Sequence, residues 1–208
     1  VDLIVSEALR EKVFPGCQIF AAKDGKVFYY KSFGNHTYDK DALPVKTTDI
    51  YDLASITKIA SSTASLMKLQ SEGVVDVDSS LSVYLPDMVD TSAYKNILLK
   101  EMLTHQAGFT PWIPFYIRTL HKGKPKFELY SVKQTDYFSE RVADNLFAHK
   151  SLRDSIFKKI LSTKVSAVKK YKYSDIGYYF INEIIQNKTN TSQDDYLMNA
   201  FYKPLGLE

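Results

Sequence analysis

Hydrophobic and polar positions change their spacing several times along the 208 residues, and each change marks an element. Leu3, Ile4, Ala8 and Leu9 share one helical stripe, which predicts a short helix over residues 1–12 ended by Pro15-Gly16. The segment "CQIFAAKDGKVFYYKSFG" reads as two strands joined at Asp24-Gly25, a strong hairpin signal. A polar connection, 35–50, leads to a helix predicted over 55–71 and stopped at Gly73. Turns and a short helical piece near Pro86 follow, then a compact helix over 97–109 ("ILLKEMLTHQAGF") closed by Gly108.

Residues 110–135 hold Pro111, Pro114, Gly123 and Pro125 among aromatics and predict a long irregular loop. Periodicity is poor over 136–161. The segment "YSDIGYYFINEIIQNKT" predicts a helix from about residue 175, its turns marked by Ile176, Tyr179, Phe180, Glu183 and Ile184, and a last helix covers 193–202. Two strands thus stand near the N-terminus and helix dominates after them. A two-stranded hairpin is marginal by itself, so the sheet is expected to be incomplete, with an exposed edge and an exposed apolar face. The fold class is α/β with a large helical domain. Residues 1–50 form the N-terminal helix and hairpin of an incomplete α/β domain, and residues 51–208 form a predominantly helical domain.

Composition narrows the function. The chain is 45% hydrophobic and 25% charged, ordinary values for a globular protein, and a net charge of +3 is too small to argue for nucleic acid. No apolar run approaches the roughly 18 residues of a membrane span. Cys17 is the single cysteine, which rules out an internal disulfide and a cysteine-rich zinc site, and in "GCQIFAA" it reads as a small buried hydrophobe. No H-x-x-x-H pattern or carboxylate cluster suggests a metal, and no cofactor is indicated.

The candidate chemistry lies in "DLASITKIASSTASLMKLQSEG", residues 52–73. Ser55 at a helix start and Lys58 three residues later can be an N-cap and an incidental surface lysine. The same spacing also places both side chains on one helix face, where an amine could approach the hydroxyl. Burial and nearby positive charge would favour the neutral amine, and the helix N-terminus would offer backbone N–H groups to an oxyanion. Ile59, Ala60, Ala64, Leu66 and Met67 around the pair predict a buried helix and a half-buried Lys58. Downstream, in "KKYKYSDIGYYFINEII", Asp175 can cap the following helix, while a tyrosine held near a lysine would have a lowered pKa and could act as base or acid.

These segments together resemble the serine beta-lactamase-like and penicillin-binding family, in its class C beta-lactamase, DD-carboxypeptidase and esterase branch. The match runs through "PGCQIFAAKDGKVFYYKSFG", "DIYDLASITK", "LLKEMLTHQAGF", "YSDIGYYFINEII" and "FYKPLGLE" in family order. S-x-x-K is the first motif of such enzymes. The resemblance implies that Ser55 is the acylated nucleophile, Lys58 its activating partner and Tyr173 the base and acid of the second motif. Tyr171 stands two residues early and does not align. It implies attack on an amide or ester carbonyl, an acyl-enzyme and its hydrolysis, with the Ser55 N–H and a strand N–H as the oxyanion hole. His105, in a signature usually written L-T-H-T-S-G, is expected to be structural and to bond between helices.

Two departures stand out. Asp175 occupies the substrate-binding position where the family usually has Asn; an ionised Asp can only accept hydrogen bonds and would stabilise the Lys58 ammonium. No K-T-G occurs in the 208 residues, and no third motif stands downstream of the "PLG" segment, its place in the family. The resemblance therefore implies a chain truncated before that motif, lacking the strands that finish the sheet, with the remainder of the domain as its first partner and little activity alone. The substrate would be a peptidoglycan peptide, a beta-lactam or a small ester, in a periplasmic or extracellular setting. The competing reading is a non-catalytic module that binds cell wall or a protein partner. The basic stretch 150–172, eight Lys/Arg against Asp154 alone, is either a solvated face or an attraction for an anionic wall.

Overall fold

The computed structural model describes residues 1–207, in two compact units, Val1–Ala54 and Ser55–Glu208. In the first unit, helix α1 (Asp2–Arg10) precedes an antiparallel hairpin of β1 (Gly16–Lys23) and β2 (Lys26–Gly34). Asp24 (φ 52°) and Gly25 (φ 73°) take consecutive left-handed conformations, as a tight two-residue turn requires. Asp2 ties the helix to the hairpin by an ion pair with Lys31 and a hydrogen bond from the Tyr29 hydroxyl. Phe20, Val27 and Phe28 remain exposed, so the hairpin carries the exposed apolar face expected of it. Cys17 is only half-buried on β1, short of full burial.

The second unit begins with a helical segment from residue 56. A π-helical turn over Lys58–Thr63 passes into α2 (Ala64–Ser71). Short helices α3 (Leu81–Tyr84), α4 (Pro86–Val89) and α5 (Leu99–Leu103) follow. Next come α6 (Phe115–Thr119) and a small hairpin of β3 (Leu120–His121) and β4 (Lys124–Pro125). A three-stranded antiparallel sheet has β7 (Leu146–Ala148) between β5 (Tyr130–Ser131) and β6 (Glu140–Ala143). Helices α7 (Ser151–Leu161), α8 (Ile176–Thr189) and α9 (Gln193–Leu197) complete the unit, and a second π-helical turn, Met198–Tyr202, extends the last of them.

One buried cluster holds this unit together. Ile176, Phe180, Ile181, Ile184 and Ile185 form the inward stripe of α8 and meet Leu66, Leu99, Met102 and Ile160. Burying such side chains contributes about 1.5–3 kcal/mol each before chain entropy is counted. Tyr94 is fully buried, and its hydroxyl donates to the Ile160 carbonyl at 3.0 Å. Glu183, on the same buried stripe, is paired with Arg153 from α7, whose Nε donates to Oε1 at 3.0 Å. Gly177 lets α8 approach α5: a Cβ there would lie 2.9 Å from the Met102 Cβ.

Several expectations need correction. The helix expected over 97–109 is confined to Leu99–Leu103, because the Thr104 hydroxyl turns back onto the Lys100 carbonyl and His105 adopts φ 57°. The five short strands between residues 120 and 148 replace expected loop and unassigned chain; they are two to four residues long, too short for alternation to show. The segment after Ser55 is not buried all round. Ile59 is 70% and Met67 is 67% exposed, while the inward side carries Ser62 and Ser65 beside Leu66 and Leu69.

Candidate active site

Four side chains from two distant stretches meet in the second unit. Ser55 precedes the helical segment, and its carbonyl accepts from the Lys58 N–H at 3.1 Å, a first turn that lays the lysine back over the serine. Ser55 caps no helix with its side chain; Lys58 Nζ donates to Ser55 Oγ at 2.9 Å instead. The lysine side chain is 16% exposed and Nζ lies 2.7 Å from Asp175 Oδ1. Its ammonium also stands 5.2 Å from the ring centre of Tyr173 and 5.5 Å from that of Tyr178, within cation–π range of both.

The π-helical turn positions this lysine. A π turn leaves the regular i→i−4 pattern, and such turns recur at functional sites. Here it is braced from the end of the chain. The Tyr202 hydroxyl donates to the Ala60 carbonyl at 2.8 Å, and Gln193 Nε2 donates to Ser61 Oγ at 2.7 Å and to Ser62 Oγ at 3.0 Å. Neither Gln193 nor Tyr202 carries a local signal of this role, since both act through contacts more than 130 residues away in the chain.

The second stretch is fastened through Ser174, which is 5% exposed. Its hydroxyl donates to the Thr110 carbonyl at 2.7 Å and accepts from the Ile176 N–H at 3.1 Å. The Ser174 N–H donates to His105 Nδ1 at 3.2 Å, the Lys172 N–H to the His105 carbonyl at 2.8 Å, and the Asp175 N–H to the Pro111 carbonyl at 2.9 Å. With Ser174 turned inward, Tyr173 and Asp175 on either side turn toward Lys58. Asp175 stands at the N-cap of α8 but makes no side-chain cap hydrogen bond; the Ser174 hydroxyl takes the Ile176 amide, which frees the carboxylate for the lysine. His105 bonds the turn after α5 to the stretch before α8, rather than one helix to another, and packs on Tyr173 with ring centres 4.3 Å apart and planes tilted by 36°. Tyr171 meets only the edge of His105 and is 69% exposed.

The electrostatics follow from this geometry. Burial acts to lower the Lys58 pKa, but the interactions with Asp175 and Tyr173 outweigh it, and the net shift is upward. The shift favours the ammonium, the form to which the Asp175 departure pointed, over the neutral amine that burial alone would favour. Interactions with the Ser55 and Lys58 side chains hold the Tyr173 phenol below its ordinary value. Burial and then the Lys58 charge lower His105, whose Nδ1 must stay unprotonated to accept the Ser174 N–H. Among the described residues, no group of three or more His, Cys, Asp or Glu is arranged to hold a metal, and no helix is long and apolar enough to cross a membrane.

A family model for beta-lactamase matches residues 1–208. The chain belongs to the beta-lactamase family of serine hydrolases. It is 28% identical over 204 residues to a putative D-alanyl-D-alanine carboxypeptidase of Escherichia coli K12, covering 93% of this chain and 42% of that protein. It is 27% identical over 206 residues to an N-acetylmuramyl-L-alanine amidase of Bacillus subtilis 168, covering 94% and 42%. The chain thus spans less than half the length of these curated relatives. Among solved structures, the octameric penicillin-binding protein homologue from Pyrococcus abyssi superposes with a TM-score of 0.70 at 22% identity, over 99% of this chain and 42% of that one. A class C beta-lactamase from Rhodobacter sphaeroides gives 0.66 at 18% identity, over 100% and 49%. The beta-lactamase/transpeptidase-like fold is shared with both.

Proposed function

We propose that the protein containing this chain hydrolyses an amide or ester carbonyl through an acyl-enzyme on Ser55. The carrying observation is the hydrogen bond from Lys58 to Ser55 at 2.9 Å in the same cluster as a phenol of lowered pKa. Tyr173, as phenolate, takes the Ser55 proton while Oγ attacks the carbonyl carbon. Lys58 remains an ammonium that stabilises the phenolate and orients Oγ. The Ser55 N–H is the oxyanion donor that this chain contributes. Tyr173, now protonated, donates to the leaving group; it then takes a proton from the water that attacks the acyl carbon and returns it to Ser55 Oγ as the acyl–oxygen bond breaks. Asp175 lies beside the lysine as a hydrogen-bond acceptor toward substrate.

The relatives' names, carboxypeptidase and amidase, favour a cell-wall peptide as substrate, with beta-lactams and small esters as probes of the same serine. The test is intact mass after incubation of that protein with a fluorescent penicillin and, separately, with a p-nitrophenyl ester, beside Ser55→Ala. A covalent adduct or ester turnover lost in Ser55→Ala is the expected result. Silence with both probes would overturn the hydrolase reading and leave a module that binds without catalysis.

A further inference from the structure

A cavity of about 300 Å³ opens between α6 and α7, and its lining shares no residue with the Ser55 cluster. That volume is at the lower end of small-molecule sites. Ile113, Phe115, Leu129 and Ile156 give it apolar walls, and Arg118 from α6 and Lys159 from α7 give it two cations. The lining contains no acidic residue. Nearby basic side chains have partners: Arg153 pairs with Glu183, Lys126 donates to the Arg118 carbonyl, and Lys150 lies over the Tyr137 ring. Both residues are exposed to solvent, and among the described residues neither the Arg118 guanidinium nor the Lys159 ammonium is in an ion pair or a side-chain hydrogen bond.

Apolar walls with two unmatched cations define a ligand by complementarity. An apolar molecule would fill the hollow without meeting either cation, and a polar anion would meet the cations and leave the walls wet. We propose that this cavity binds a small amphiphile with a medium-length apolar chain and one carboxylate, the chain lying against Ile113, Phe115, Leu129 and Ile156 and the carboxylate at Arg118 and Lys159. Part of the basic stretch 150–172 thereby gains a ligand instead of being a solvated face alone. The proposal does not rest on the reaction assigned to Ser55.

The probe is decanoate, with decan-1-ol as its uncharged counterpart, titrated into the protein with methyl NMR detection. The expected result is saturable, one-to-one shifts of the Ile113, Leu129 and Ile156 methyl groups, with decanoate at least fivefold tighter than the alcohol. Arg118→Glu with Lys159→Glu weakens decanoate at least tenfold and leaves the alcohol unchanged, and Ser155→Trp, which fills the cavity, abolishes both. Shifts that do not saturate below the micellar threshold, or equal binding of acid and alcohol, would overturn the proposal. So would an unchanged decanoate affinity in the folded charge-reversed protein. If that variant does not fold, the comparison of acid with alcohol on the unsubstituted protein decides alone.

Discussion

The Lys58 ammonium lies 2.7 Å from the carboxylate of Asp175, closer than its 2.9 Å to Ser55 Oγ. An acceptor-only group therefore stands beside the lysine that contacts the candidate nucleophile, and it favours the charged form of that lysine. In the proposed reaction, proton removal from Ser55 then falls to Tyr173, and the consequences can be measured.

Replacing Asp175 by Asn removes the main interaction that raises the Lys58 pKa and a charge that acts to raise that of Tyr173. Both groups should then titrate at lower pH. A pH profile of Ser55 acylation should shift toward acid on both limbs, the rising limb reporting Tyr173 and the falling limb Lys58. An unshifted profile would separate Asp175 from the proton chemistry.

Tyr173→Phe keeps the ring packed on His105 and removes only the oxygen. Loss of a positioned base is expected to slow acylation by about 10²–10⁴-fold. Because Tyr173 is 42% exposed, the thermal midpoint should barely move. Tyr171→Phe serves as the matched control and should leave the rate unchanged.

His105 should make the fold acid-sensitive. Its folded-state pKa is depressed below 6.5, so its contribution to stability is fully present above the unfolded value and is lost as pH falls through the folded one. Protonation would also place a donor against the Ser174 N–H. Denaturant midpoints followed from pH 7.5 down to 5 should fall more steeply in the parent than in His105→Gln, whose side-chain carbonyl can still accept. Parallel slopes would count against this role.

Arg153→Ala strands the nearly buried Glu183 carboxylate, whose side chain is 6% exposed. Removing one partner of a fully buried pair costs about 3–5 kcal/mol; Arg153 is 46% exposed, so about 2 kcal/mol is expected here. In urea unfolding, Arg153→Ala with Glu183→Ala should cost less than the two single changes added together. Strict additivity would mean the pair is not coupled.

Close packing makes a last prediction. Gly177→Val would drive branched carbon into the Met102 side chain, where even a Cβ comes within 2.9 Å. Overpacking of this kind costs about 1–3 kcal/mol. It would also displace α8 and, with it, Asp175 at its start, so the Ser55 acylation rate should fall along with the unfolding midpoint. Loss of stability with an unchanged rate would show that α8 does not set the site.

What the sequence determined by itself is local. Asp24-Gly25 specifies its turn because few residues tolerate consecutive left-handed conformations, and the apolar stripe of α8 is legible because one helix face must be buried. The i,i+3 spacing brought Ser55 and Lys58 together for the same reason: it needs only a helical turn. The true length of the short helix after Leu98, expected over 97–109, and the strands between 120 and 148 were not legible, because elements of two to five residues carry no measurable period. Only the tertiary structure decided how Tyr173 and Asp175, both already named from the sequence, reach Lys58, because that depends on Ser174 turning inward onto Thr110 and His105. The π turn and its brace from Gln193 and Tyr202 belong to the same class: their hydrogen bonds close loops of more than 130 residues, and no local preference encodes a partner at that separation.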